Sequence, residues 1–311
     1  MSTSKPTIGW IGTGRMGFAL ATRLLDAGYD LSAFNRTRSK AEPLAEKGAK
    51  IVDRPVDLAD RDVVFIMVSA PKDLEEVTVG VDGLLTADGV APRIVLDSST
   101  VSSEASERIR ALANGRGTAF LATPVSGNPK VIAAGKLTLA ASGPRAVFDE
   151  VEPILNELGR GVTYVGDGEV ARLVKIAHNV FLGVVTQSLA EITVLAEKGG
   201  VSREAFLGFM NDSVMGSVFT RYKTPAFVNL DFTPTFTMTL LQKDFDLGLD
   251  AATRLGAPMP LASAARQIVA REVGAGNTSD DFATLLLEVA RGAGLTLEPE
   301  NVKVSDGLET R

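Results

Sequence analysis

The chain has 311 residues, enough for about two domains; with 45% hydrophobic and 23% charged residues it has ample core-forming material, which excludes disorder as its main state. It contains no cysteine and a single histidine, His178, which excludes disulfides, thiolate metal sites, iron–sulfur clusters and multi-histidine zinc sites. Thirty-two basic against 38 acidic residues leave a net charge of −6, which repels a phosphate backbone, so nucleic acid is not an expected partner.

The stretch Met1 to Thr7 carries one lysine and runs into an apolar segment broken by glycines, unlike the uninterrupted core of a signal peptide. No stretch reaches the ~18 consecutive apolar residues of a spanning helix, so a cytoplasmic location without membrane association is expected. Short β-rich runs then alternate with amphipathic stretches: Ile8 to Ile11, Leu31 to Phe34, Val63 to Val68, Ile94 to Leu96, Ala119 to Leu121, Leu137 to Ala140 and Val162 to Val165. Apolar strands without clean alternation, separated by helical stretches, predict a doubly wound, mostly parallel α/β sheet over residues 1–168.

After Gly168 the β signal stops. From Glu169 to Lys198 there is no proline and one interior glycine, Gly183, which predicts a helix of about 30 residues or ~45 Å joining the sheet domain to an all-α second domain, 169–311. At 100° per residue, Leu173, Ile176, Ala177, Val180, Val184 and Leu195 fall on one arc, the expected core face. Lys175, Asn179, Thr186, Thr193 and Glu197 fall opposite, as an expected polar strip. Further helices are predicted at Ser202 to Met210, Phe236 to Leu255, Leu261 to Val273 and Ser279 to Ala290, and the acidic tail from Glu298 to Arg311 is expected to be loosely held.

Gly12-Thr13-Gly14-Arg15-Met16-Gly17 directly follows the first strand and opens a helical run. This is the setting in which a glycine pattern signals a Rossmann-type dinucleotide site: Gly12 permits the tight turn, Gly14 lets a pyrophosphate approach the backbone, and Gly17 lets helix and strand pack closely. At the end of the second strand, where an NAD-specific domain places a carboxylate for the ribose 2′-hydroxyl, stands Asn35-Arg36-Thr37-Arg38. Arg36 can pair a 2′-phosphate and stack on adenine, so NADP is favoured over NAD as cofactor.

Four further motifs follow in order: Asp97-Ser98-Ser99-Thr100, Pro124-Val125-Ser126-Gly127, Gly166 with Lys175 and Asn179 beyond it, and Lys243-Asp244. With the glycine loop they resemble the β-hydroxyacid dehydrogenase family, which includes 3-hydroxyisobutyrate dehydrogenases and glyoxylate or succinic semialdehyde reductases. The resemblance spans about Ile8 to Leu287. It implies an NADP-dependent oxidoreductase that moves a hydride between nicotinamide and a small 3-hydroxy acid or its semialdehyde, with Lys175 as general acid and base and Asn179 beside it. Ser126, Gly127 and Asn128 would receive the substrate carboxylate, with Phe236 and Asp244 completing the pocket in the cleft between domains. Val68, Ser69, Thr100 and Lys243 would join the glycine loop and Asn35 to Thr37 around the cofactor. A homodimer or higher oligomer formed through the helical domain is also implied.

His178 has proton-transfer chemistry, but the family pattern commonly has asparagine there, so a pocket-shaping role is expected. The chain departs from the pattern at Glu169 and Ala171, which replace glycines and are expected to alter the start of the long helix. It departs again at Ala122, where an aspartate is usual, and at Asn128, where a side chain is expected to project in place of a glycine. Related imine reductases carry aspartate or tyrosine in place of Lys175, and some relatives that have lost the lysine are non-catalytic NADP-binding interaction modules. These are the alternative readings, and Lys175 weighs against both.

Overall fold

The computed structural model describes residues 5–308. The chain divides into two compact units, Met1–Lys175 and Ile176–Arg311.

The first unit runs β1 (Ile8–Ile11), α1 (Arg15–Asp26), β2 (Leu31–Phe34), α2 (Glu42–Ala45), β3 (Lys50–Ile51), β4 (Val63–Ile66), α3 (Pro71–Val79) and β5 (Ile94–Asp97). It continues with α4 (Ser103–Gly115), β6 (Ala119–Ala122), β7 (Val125–Ser126), α5 (Pro129–Ala133), β8 (Thr138–Ser142), α6 (Arg145–Glu157) and β9 (Gly161–Gly166). The strands form one sheet in the order β3-β2-β1-β4-β5-β6-β8-β7, with β9 parallel to β8. From β3 to β6 every pairing is parallel, and the chain reverses direction across the sheet between β1 and β4. Such a switch point opens a crevice at the carboxyl ends of the strands.

All residues of β1, β4 and β5 are buried, because helices cover both sheet faces. On one face Trp10 stacks on Phe65, its register partner, at 5.0 Å between ring centroids, within a cluster that includes Leu20, Leu24, Leu96 and Phe148. Ile11, Val64, Ile66, Leu74, Val95 and Phe120 fill the other. Strands β3 and β7 were not expected; two residues each give no periodicity to read.

Helix α7 (Val170–Lys198) begins in the first unit and continues into the second. By length and composition it is the one helix among the described residues apolar enough to cross a membrane. Half of its most apolar stretch is buried inside the protein, as for a core helix. The expected division of its surface does not hold. Ile176 and Val180 are buried, but Leu173 is 39% and Leu195 72% exposed, whereas Asn179, Thr186 and Thr193 of the supposed polar strip are buried. A single helical wheel assumes one environment along the helix; here a 29-residue helix meets different neighbours at its two ends. The buried hydroxyl of Thr186 satisfies itself by donating to the Leu182 carbonyl one turn back.

The second unit adds α8 (Arg203–Asp212), α9 (Val218–Asn229), α10 (Met238–Leu255), α11 (Pro260–Gly274) and α12 (Leu285–Gly292). Helix α9 went unexpected because Pro225 lies inside it, and proline removes a helical hydrogen bond. Two clusters fill the interior: Ile176, Val180, Leu241, Phe245 and Phe282 in one, and Leu189, Leu207, Phe227 and Leu286 in the other. The tail is not loose as far as it is described. Glu300 accepts from the backbone N–H groups of Arg203 and Glu204, the fully buried Arg203 guanidinium donates to the Glu298 carbonyl, and Leu308 is buried. Residues 309–311 of the expected tail lie outside the described residues.

Candidate functional site

The glycine loop leaves β1 at the switch point. Gly12 has φ +96°, and a Cβ there would lie 2.1 Å from the Met67 carbonyl oxygen, so the turn admits no side chain. A Cβ on Gly17 would lie 2.0 Å from the Gly12 oxygen, so α1 packs directly on the loop. A Cβ on Gly14 would meet nothing within 4 Å. Gly14 is also the N-cap of α1, and the helix start has neither a side-chain cap nor an acidic residue in its first turn. The Thr13 hydroxyl is buried without a hydrogen-bond partner. An uncapped helix amino terminus, an orphaned hydroxyl and open space above a glycine together fit a pyrophosphate.

A cavity of about 840 Å³ extends from this loop across the end of β2. Gly12, Gly14, Asn35, Arg36, Thr37, Val68 and Ser69 line it. Thr13, Arg15, Met16, Gly17 and Thr100 are outside the lining. Asn35 also shapes the loop itself, since its Oδ1 accepts from the Thr13 N–H at 2.9 Å and so tethers the loop to β2. Arg36 is 74% exposed, and its Nη1 lies 3.0 Å from Asp73. Lys40, Asp53, Arg54, Lys72, Asp73 and Glu76 also line the cavity and were not expected; they come from segments without a motif.

In the same unit, Ser126 pairs in register with Thr138, and Gly127 follows at φ +146°. A Cβ on Gly127 would press to 2.9 Å from Leu137 and 3.0 Å from Val131, so glycine is required there too. Asn128 does not project as expected. Its side chain turns inward, buried, and caps α5 by accepting from the Val131 N–H at 3.0 Å. Lys175 is half-buried on α7.

One turn further along α7, in the second unit, Asn179 is buried and donates to the carboxylate of Asp244 on α10. The other oxygen of Asp244 is buried without a hydrogen bond, with Lys243 Nζ at 3.7 Å. His178 Nδ1 lies 3.0 Å from the Asn179 Oδ1. Phe236 packs edge-on against Phe282 at 5.7 Å, and its N–H faces Asp281, a carboxylate that also accepts from Lys223. Burial and the Asp281 charge push the Tyr222 phenol well above its ordinary pKa, so it stays protonated.

The sequence reading missed Arg172, whose guanidinium is buried at the first turn of α7. An arginine three residues before the motif lysine and three after Glu169 was its only local signal.

Residues 7–166 match the family described as the NAD binding domain of 6-phosphogluconate dehydrogenase, and residues 166–289 that described as NAD-binding of NADP-dependent 3-hydroxyisobutyrate dehydrogenase. An uncharacterised oxidoreductase, YfjR, of Bacillus subtilis is 34% identical over 89% of this chain and 97% of its own length. Glyoxylate/succinic semialdehyde reductase 1 of Arabidopsis thaliana is 30% identical over 90% and 96%. Human cytokine-like nuclear factor N-PAC is 27% identical, and the match spans 50% of its length. Among solved structures, 3-hydroxyisobutyrate dehydrogenase of Mycobacterium tuberculosis, determined with L-serine, superimposes with a TM-score of 0.80 at 27% identity, covering 92% of this chain and 99% of the other. The chain therefore belongs to the β-hydroxyacid dehydrogenase family of NAD(P)-dependent oxidoreductases, of the 3-hydroxyisobutyrate dehydrogenase type.

Proposed function

We propose that the protein is an NADP-dependent reductase of small aldehyde acids, or the corresponding 3-hydroxy acid dehydrogenase in reverse, with Lys175 as the proton-transferring residue. The observation that carries this reading is the coincidence, in one compact unit, of a pyrophosphate cradle, an arginine where a ribose carboxylate would stand, and a half-buried lysine. A nicotinamide cofactor held at the glycine loop would supply hydride chemistry at the substrate carbonyl. The Lys175 ammonium donates its proton to the carbonyl oxygen as negative charge gathers there, and the amine takes it back in the oxidation direction. The Ser126 hydroxyl and the Gly127 N–H receive the substrate carboxylate. Asn179, its amide oriented by Asp244, holds a fixed polar group one helical turn beyond the lysine.

Arg36 supplies the cofactor preference, through a charge-assisted contact with the 2′-phosphate. The test is NADPH and NADH oxidation by purified protein across glyoxylate, succinic semialdehyde, methylmalonate semialdehyde and tartronate semialdehyde. Turnover of at least one, faster with NADPH, is expected. Turnover of cyclic imines with none of the aldehyde acids reduced would replace this reading.

A further inference from the structure

Arg172 is 2% exposed and Asp97 fully buried. The guanidinium donates through Nη2 to Asp97 Oδ2 at 2.6 Å and through Nη1 to the Ser99 carbonyl at 2.6 Å, and its Nε lies 3.3 Å from Glu169 Oε2. A pair so buried is a poor source of stability, since desolvation offsets most of the attraction. Its effect is to fix geometry.

Both ends of the arrangement belong to segments already placed at the site. On one side, Ser99 Oγ accepts from the Val68 N–H at 2.9 Å, and the Ser99 N–H donates to Asp97 Oδ1 at 3.0 Å, so the cofactor-side turn and the loop leading to Thr100 are joined. On the other, Glu169 accepts from Arg110 at 2.7 Å, while Arg110 and Ser142 both donate to the Gly168 carbonyl. The Ala171 N–H donates to the Ser142 hydroxyl at 3.1 Å. Glu169, which stands where the family pattern has glycine, thus joins Arg172 to Arg110 of α4, while Arg172 itself reaches Asp97 at the end of β5 and the Ala171 N–H reaches Ser142 at the end of β8. Lys175 follows Arg172 by three residues, less than one helical turn.

We propose that Arg172 is a positioning residue: it holds α7 so that Lys175 meets the reacting carbonyl, and it acts on the chemical step while leaving cofactor affinity alone. This rests on the reading of Lys175 as the proton-transferring residue. A displacement of about 1 Å at a catalytic group can cost roughly 10²-fold in rate.

The experiment compares wild type, Arg172→Lys, the charge-balanced pair Arg172→Gln with Asp97→Asn, Lys175→Ala, and Arg172→Lys combined with Lys175→Ala. Lysine keeps the charge but cannot bond Asp97 and the Ser99 carbonyl in one plane. The charge-balanced pair leaves no unpaired buried ion, and so reports if Arg172→Lys fails to fold. Readouts are kcat, KM and NADPH affinity. The last is followed by energy transfer from Trp10, the only tryptophan, whose Nε1 donates to the Gly12 carbonyl in the cofactor loop.

The expected result is a fall in kcat of roughly 10- to 100-fold in both Arg172 variants, with KM and NADPH affinity within about threefold of wild type. In the Lys175→Ala background Arg172→Lys should add almost nothing, because two residues that act through one group are not additive. An unchanged kcat, or the same fold-loss with and without Lys175, overturns the proposal while the Lys175 reading stands. Near-normal turnover in Lys175→Ala overturns that reading and the proposal with it.

Discussion

Asn179 donates its side-chain N–H to the buried carboxylate of Asp244, so the orientation of the amide on α7 is set from α10. The amide oxygen then faces His178 Nδ1 at 3.0 Å and needs a donor there. In this contact Nδ1 therefore carries the hydrogen. The only histidine in the chain is therefore engaged, through its proton, in holding Asn179.

His178→Asn is expected to keep most of kcat, since an asparagine amide can replace the Nδ1–H donor and, in the proposed mechanism, Lys175 supplies the proton chemistry. Steady-state kinetics with NADPH and the best aldehyde acid check this. A loss of about a thousandfold in a folded variant would make His178 the proton donor.

Arg36→Ala should weaken NADPH far more than NADH. Losing one charge-assisted hydrogen bond costs about 1.5 to 3 kcal/mol, roughly 10- to 150-fold in affinity. The pairing of Arg36 with Asp73 does not prevent this, because exposed pairs are weak and the guanidinium is free to exchange partners. Titration of both reduced cofactors into wild type and variant reads the effect. Equal affinities in the wild type would remove the basis for a phosphate contact.

Gly183 lies in the middle of α7, where a helix former would ordinarily be better. Phe245 of α10 explains it: a Cβ at this position would lie 2.5 Å from the Phe245 ring. Gly183→Ala should therefore destabilise the helical unit by about 1 to 3 kcal/mol, the usual range for overpacking, despite a gain in helix propensity. Chemical denaturation measures it, and a stabilised variant would show that α7 and α10 are not in close contact.

The glycine loop was legible because its residue types follow from hard contacts: Met67 and Gly12 leave no space for a Cβ at Gly12 and Gly17. The strands were legible because β1, β4 and β5 are buried on both faces, and burial leaves an unbroken apolar run. What could not be read depended on partners far along the chain. Arg172 finds Asp97 across 75 residues, and Glu300 finds Arg203 across 97. Asn128 looked like a projecting side chain because glycine was the reference; an asparagine before a proline-started helix is also an N-cap, and that use won. The faces of α7 were misassigned for a related reason, since the carboxylate that makes a buried Asn179 acceptable sits on α10.

Asp62 ties the strand before the glycine loop to its neighbour. Its carboxylate accepts from the Thr7 N–H and the Thr7 hydroxyl, each at 2.8 Å, and these bonds hold its pKa below the ordinary carboxylate value. A folded-state pKa lowered in this way gives stability that is present above the unfolded value and lost as pH falls through the folded one. Asp62→Ala should lower Tm at pH 7, and the difference from wild type should shrink as pH is lowered through the acid range. Thermal melts across that range check it, and a difference that does not change with pH would assign the loss to the hydroxyl contact alone.

Lys175 should be indispensable for chemistry and dispensable for holding the cofactor. It belongs to α7, which begins after the sheet is complete, and it is not among the residues that line the cavity at the glycine loop. General acid catalysis contributes about 10²- to 10⁴-fold, and in the proposed mechanism the ammonium would also stabilise negative charge on the substrate oxygen. Lys175→Ala is therefore expected to lower kcat by at least about 10²-fold, while NADPH affinity, read by fluorescence titration, changes only a few-fold. Lys175→Arg should not restore turnover, because a guanidinium keeps its proton and presents it in a different geometry. Near-normal turnover in Lys175→Ala on the best substrate would remove the lysine from the mechanism and leave imine reduction, or cofactor binding without chemistry, as the function to test next.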